Sequence, residues 1–182
     1  MNATIWTKAS PLRKRFFLIL AVLAAAIAVT VIGSQLPVNE EQANQISEEL
    51  NQTVTTLKEQ GGLTQYIFGN NFMICLLMFV PIVGPVAGMY IMFSTGSVVG
   101  AIATAGGYPS IVALAALLIT PVAWLEFAAY ATAMGESIWL LRRLLQGRGV
   151  SELKKTCIFV SICAALLALA AVIEVALISF VP

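Results

Sequence analysis

Glu126 is the side chain in this sequence best placed to do chemistry. It falls near the middle of an apolar run from about Pro109 to Leu141, roughly 22 Å from either end at 1.5 Å per helical residue. An ionised carboxylate at that depth in a bilayer costs a few kcal/mol on insertion scales. No Lys or Arg interrupts the apolar runs to neutralise it, so the group is expected to be neutral or hydrogen-bonded. Ala123, Ala129, Tyr130, Ala133 and Ser137 share its helical face, a small and partly polar stripe that belongs against protein rather than lipid. Pro121, one turn earlier, takes a backbone donor from the Leu117 carbonyl and is expected to kink the helix. Two readings follow for Glu126: a proton or ion relay, and a hydrogen bond that fixes helix packing.

Other candidates carry weaker signals. Glu136 and Glu174 stand within two or three turns of the ends of their runs and are expected to reach the interface. Asn70 and Asn71 open an apolar run, where they can bond across helices or cap a helix start. Gly84-x-x-x-Gly88 and Gly96-x-x-x-Gly100 have the small-residue spacing of close helix contacts. Pro81 and Pro85 on the same segment point to a bent or broken helix, a feature that also lines cavities in transporters. Ser151-x-x-Lys154 has the form of a penicillin-binding signature without its companion motifs, and reads as a helix cap.

The absences exclude whole chemistries. There is no His and no Asp, and all nine acidic residues are Glu. Imidazole-based metal sites, Ser/His machinery and a two-aspartate protease therefore cannot be built. Cys75, Cys157 and Cys163 lie in apolar segments without Cys-x-x-Cys spacing and read as small buried hydrophobes. No cofactor and no metal is expected, and a formal net charge of +1 gives no field for nucleic acid.

The elements that would position these residues are membrane spans. Of 182 residues, 59% are apolar and 10% charged, where a soluble domain carries about a quarter charged residues. An all-α, polytopic transmembrane helical bundle of about five spans is expected, as one membrane domain over 1–182. The spans are placed at about 16–36, 66–93, 95–107, 109–141 and 156–180. Lys8, Arg13, Lys14 and Arg15 precede the first run, which places the N-terminus in the cytoplasm; a signal peptide ending near Val31 and Gly33 is the rival reading of that run.

The stretch 142–155, with Arg142, Arg143, Arg148, Lys154 and Lys155, is expected as a basic cytoplasmic loop, which puts the C-terminus outside. Two cytoplasmic basic clusters separated by an outer loop demand an odd number of crossings between Gly62 and Arg142, hence the short Gly-rich span at 95–107, whose length also suits a re-entrant segment. Between the first two spans, 39–60 is acidic, and Ala43, Ile46, Leu50, Val54 and Leu57 recur at helical spacing. An external amphipathic helix is expected there, capped by Asn39 and stopped by Gly61 and Gly62. Its stripe of Ile46, Leu50, Val54 and Leu57 is a candidate contact surface for a partner.

The motifs IFGNN from Ile67 to Asn71, the glycines Gly84 and Gly88, TGSVVG from Thr95 to Gly100, and PVAWLEFAAYATAMG from Pro121 to Gly135 carry a resemblance. From Ile67 to Ser137 the chain resembles the stage II sporulation protein M family. Pro121, Glu126 and Gly135 fit the family pattern of a Pro, a His-Gly pair, a Glu and a later Gly. Val122 and Ala123 replace the His-Gly pair, and Thr95 stands where Asn is usual. The resemblance implies a five-span, non-enzymatic envelope protein that recruits or scaffolds other proteins.

The functional expectation is a non-catalytic scaffold or assembly subunit in the cell membrane, in contact with membrane lipid and with other integral membrane proteins or further copies of itself. The alternative is a transporter or channel component that uses Glu126.

Overall fold

Three breaks, at Pro81, at Gly106 to Pro109 and at Pro121, divide the long apolar stretch between Gly62 and Arg142 and set the architecture. The computed structural model describes residues 11–147 and 149–180; Lys8 and Arg148, counted above in the basic flanks, lie outside them. The helices are α1 (Pro11–Ser34), α2 (Glu40–Glu59), α3 (Leu63–Met78), α4 (Val83–Ala105), α5 (Ser110–Ile119), α6 (Pro121–Leu145) and α7 (Gly149–Phe180). No strand occurs among the described residues, as expected where lipid offers the backbone no hydrogen-bond partner.

Several expected boundaries are corrected. The span expected at 66–93 is divided into α3 and α4, because Pro81 has no N–H to continue the ladder and Ile82 takes a φ of 72°. A positive φ is unusual for a β-branched residue and turns the chain back on itself. The Gly-rich 95–107 is not a span of its own but the second half of α4. The helix expected at 109–141 bends by 83° between α5 and α6. The basic loop expected at 142–155 shrinks to a few residues, since α6 runs to Leu145 and α7 begins at Gly149, which puts Ser151 inside a helix rather than at its cap.

Leu12–Ser34, Val83–Ala105 and Glu152–Phe180 are each long and apolar enough to cross a membrane, and the bent α5–α6 pair makes a fourth candidate if taken as one span. α3, with 16 residues, is about 24 Å long. Side-chain neighbours fix the directions. Thr30 and Ser34 of α1 meet Gly96 and Gly100 of α4 in the same order, so these two run parallel. Asn71 meets Glu126 and Ser137 meets Val80, so α3 runs parallel to α6. α6 runs antiparallel to α1 and to α7, as Gly135 against Ile19, Arg15 beside Glu136, Cys163 at Ala129 and Arg143 at Glu152 require. Thus α1, α3, α4, α6 and α7 pass alternately through the bundle, with α5 a short extra helix set at 83° to α6.

Glycines make the α1–α4 seam close. A Cβ on Gly96 would collide with the Thr30 carbonyl, and one on Gly33 with the Phe93 carbonyl. Thr30 Oγ1 uses that proximity, donating to Ala26 O at 3.0 Å and to Met92 O at 3.1 Å. Gly84 and Gly88 serve the other side of α4, against the Met78 backbone and the Met134 side chain. At the α3–α4 corner Val80 O accepts from Gly84 N at 2.7 Å and from Ser137 Oγ at 2.7 Å, and the second bond ties the corner to α6. Met78, Cys75, Met134, Cys163 and Leu167 fill the centre, fully buried, whereas Cys157 is exposed, contrary to its reading as a buried hydrophobe.

Residues of α2 behave as their pattern requires. Asn39 Oδ1 accepts from Glu41 N at 2.7 Å, Gly61 takes a φ of 68° just past the end, and the helix packs on α4 and α3.

Candidate functional site

Pro121 is the first residue of α6, where a missing N–H costs nothing. The Leu117 carbonyl is not left bare: Thr120 donates to it through its backbone N–H at 3.1 Å and its hydroxyl at 2.7 Å. The same hydroxyl caps Ala123 N, and Trp124 Nε1 donates to Leu118 O at 2.8 Å across the bend. These bonds brace the break, and Glu126 lies on the second turn of the helix that follows it. Asn71 Nδ2 donates to Glu126 Oε1 at 2.6 Å, and Asn70 Nδ2 to Asn71 Oδ1 at 3.4 Å. Both asparagines lie midway along α3 rather than at its start, so they serve this cross-helix chain and not a cap.

Glu126 and Asn71 line a cavity of about 710 Å³ bounded by α2 on one side and α3, α4, α6 and α7 on the others. Asn70, Tyr130, Glu49 and Glu174 also reach it, and among the described residues no Lys or Arg does. The walls are apolar and the polar groups are mainly acceptors. The site can thus receive a cation, a proton or the donors of another molecule. Ile46, Leu50, Val54 and Leu57, the stripe read as a contact face, line this cavity; Leu50 stays 40% exposed and the other three are half-buried. Gly96 and Gly100 lie behind the cavity in the α1 seam, while Gly135 sits against Ile19.

A family model described as Stage II sporulation protein M matches residues 16–178. The chain belongs to the stage II sporulation protein M family. The match extends well beyond the Ile67–Ser137 motifs, taking in the first helix, the amphipathic helix and nearly all of the last. No curated protein and no solved structure matches the chain. In this sporulation protein M chain the motif residues separate in space by role. Glu126 and Asn71 meet at the cavity floor, Pro121 starts the helix that carries the carboxylate, and Gly135 belongs to the α1–α6 contact.

A second polar cluster in this family member escaped the sequence reading. Arg15, taken as a topological flank, is 4% exposed, and Glu136, expected at the interface, is 1% exposed. Arg15 Nη2 ion-pairs with Glu152 of α7 and lies 3.6 Å from Glu136 Oε2. Glu152 also faces Arg143 Nε at 3.5 Å and Lys155 Nζ at 3.6 Å. Trp139 completes the cluster, with the guanidinium carbons of Arg15, Arg143 and Arg142 at 5.1, 5.2 and 5.9 Å from its ring centre. The sequence signal was available: an Arg beside an apolar run and a Glu a few turns from a basic segment sit at one depth when their helices run antiparallel.

Proposed function

We propose that this membrane protein is a non-catalytic assembly subunit, and that it holds another membrane protein at the cavity beneath α2. The unfilled cavity carries this reading. Binding sites are concave, largely apolar clefts of about 300–1,000 Å³, and about 710 Å³ lies open between the amphipathic helix and the bundle. An apolar segment with one or two hydrogen-bond donors matches apolar walls around Glu126, Asn71 and Glu174. Membership of the stage II sporulation protein M family supports the same role. In this reading five helices cross the membrane, the Arg15 end lies in the cytoplasm by the positive-inside rule, and α2 and the C-terminus lie outside.

Glu126 and Glu174 on one cavity without a cation favour a second reading, a transport component that passes a cation or proton. Purification of the tagged chain from native membranes in mild detergent separates the two. The assembly reading expects a stoichiometric companion that is lost when Val98→Trp fills the cavity, with membrane insertion unchanged. Companions that survive the filled cavity would sink it. Cation or proton flux through the wild-type chain reconstituted alone, abolished by Glu126→Gln, would establish the transport reading in its place.

A further inference from the structure

At the basic end of the bundle, far along α6 from Glu126, a groove of about 440 Å³ opens between α1 and α6. Its floor is Phe17, Leu18, Ala21 and Ile138, and its mouth is flanked by Lys14 and Arg142, with Trp139 between. A smaller cleft of about 170 Å³ continues from that mouth, sharing Lys14, Trp139 and Arg142 and adding Arg143 and Gln146. An apolar trough is thus joined end to end with a cationic cleft.

The charges here do not balance. Lys14, Arg15, Arg142, Arg143 and Lys155 bring five positive charges and Glu136 and Glu152 two negative ones, an excess of three. Arg15, Arg143 and Lys155 are engaged by those carboxylates. Lys14 and Arg142 face no carboxylate among the described residues, and both stand on the groove and the cleft. Trp139 Nε1 is buried without a hydrogen-bond partner on the same walls. A buried donor left unpaired is costly, and an acceptor oxygen reaching it from the cleft would remove that cost. Arg142 lies over the Trp139 ring and is held near the mouth.

We propose that this is a binding site for an anionic phospholipid: the phosphate headgroup lies between Lys14 and Arg142 within reach of Trp139 Nε1, and one acyl chain lies along Phe17, Ala21 and Ile138. Charge complementarity selects the headgroup. The apolar trough, continuous with it and open toward the depth where α1 is surrounded by lipid, selects a molecule with a chain. Basic pockets between helices at a membrane surface take anionic lipids on these grounds. The site is independent of the cavity at Glu126, and it rests on different residues.

The test is native mass spectrometry and thermal unfolding of the full chain in mild detergent, titrated with phosphatidylglycerol, phosphatidylcholine or inorganic phosphate. Phosphatidylglycerol should stay bound and raise the unfolding temperature, and the other two should not. Lys14→Gln with Arg142→Gln should weaken phosphatidylglycerol by about fivefold for each cation removed. Ala21→Phe, which fills the trough and leaves every cation in place, should weaken it as well. Equal binding of phosphatidylcholine would overturn the headgroup assignment, and an equal shift with inorganic phosphate would overturn the acyl-chain assignment. Should the double variant fail to fold, Lys14→Gln and Ala21→Phe decide singly, and unchanged phosphatidylglycerol affinity in both overturns the site.

Discussion

The Arg15 guanidinium lies 3.6 Å from the Glu136 carboxylate, with 5% and 1% of the two side chains exposed. A charge buried on this scale is tolerated only while its counter-charges remain. Arg15→Gln leaves Glu136 and Glu152 facing each other without their shared cation and is expected to cost about 3–5 kcal/mol, seen as a large fall in the thermal midpoint in detergent. Glu136→Gln, which keeps the shape and leaves Arg15 its pair with Glu152, should cost clearly less. Equal losses in the two variants would contradict the arrangement.

Glu126 is held by a single donated hydrogen bond. Asn71→Leu removes the donor and should destabilise by about 1–3 kcal/mol. Glu126→Gln retains an acceptor for Asn71 and should be nearly silent in thermal unfolding. Glu126→Lys sets a cation among apolar walls in place of the group that accepts from Asn71, and its folded yield is expected to drop.

The α1–α4 seam gives a steric prediction. Gly96→Ala drives a methyl group into the Thr30 carbonyl, backbone that cannot swing aside, and overpacking of this kind costs about 1–3 kcal/mol. Gly69→Ala, with nothing within 4 Å of the added carbon, should be neutral or slightly stabilising, because Ala favours the helix. A thermal-shift comparison of the two variants checks it, and a destabilised Gly69→Ala would count against the packing described.

Orientation is open to chemical labelling. Cys157 is the exposed native thiol and Cys75 and Cys163 are buried, so a Cys157→Ser background suits single-cysteine probes. Gln146→Cys should react with an impermeant maleimide only after the cells are opened, and Glu48→Cys in intact cells. The reverse pattern would invert the proposed topology.

Sequence legibility followed the contrast between polar and apolar positions. Against water, α2 stood out: its stripe alternates with Glu40, Glu41, Glu48 and Glu59, and Asn39 and Gly61 bound it as their side-chain chemistry and backbone freedom require. Within lipid that contrast vanishes. Residues 79–83 are apolar on both sides of the α3–α4 corner, so periodicity is silent there and only Pro81 spoke for a break. Glu126 was legible as a costly residue, but its partner Asn71 lies 55 positions away, and no local rule links them. Arg15 and Glu136 were misplaced at the interface because each was weighed alone, whereas their burial is a property of the pair.

The ion cluster also bears on how the chain is made. Arg15 enters with the first helix, Glu136 with α6 and Glu152 with α7, so a ribosome must deliver 137 further residues before the Arg15–Glu152 bond can close. Until α6 brings Glu136 beside it the first helix carries an unmatched cation at its edge, one that can stay in the headgroup layer by snorkelling, and the last helix then adds the second carboxylate. Insertion is consequently completed by its final step. A chain cut short before Gly149 would have every earlier helix and still lack the Glu152 carboxylate that Arg15 and Arg143 share.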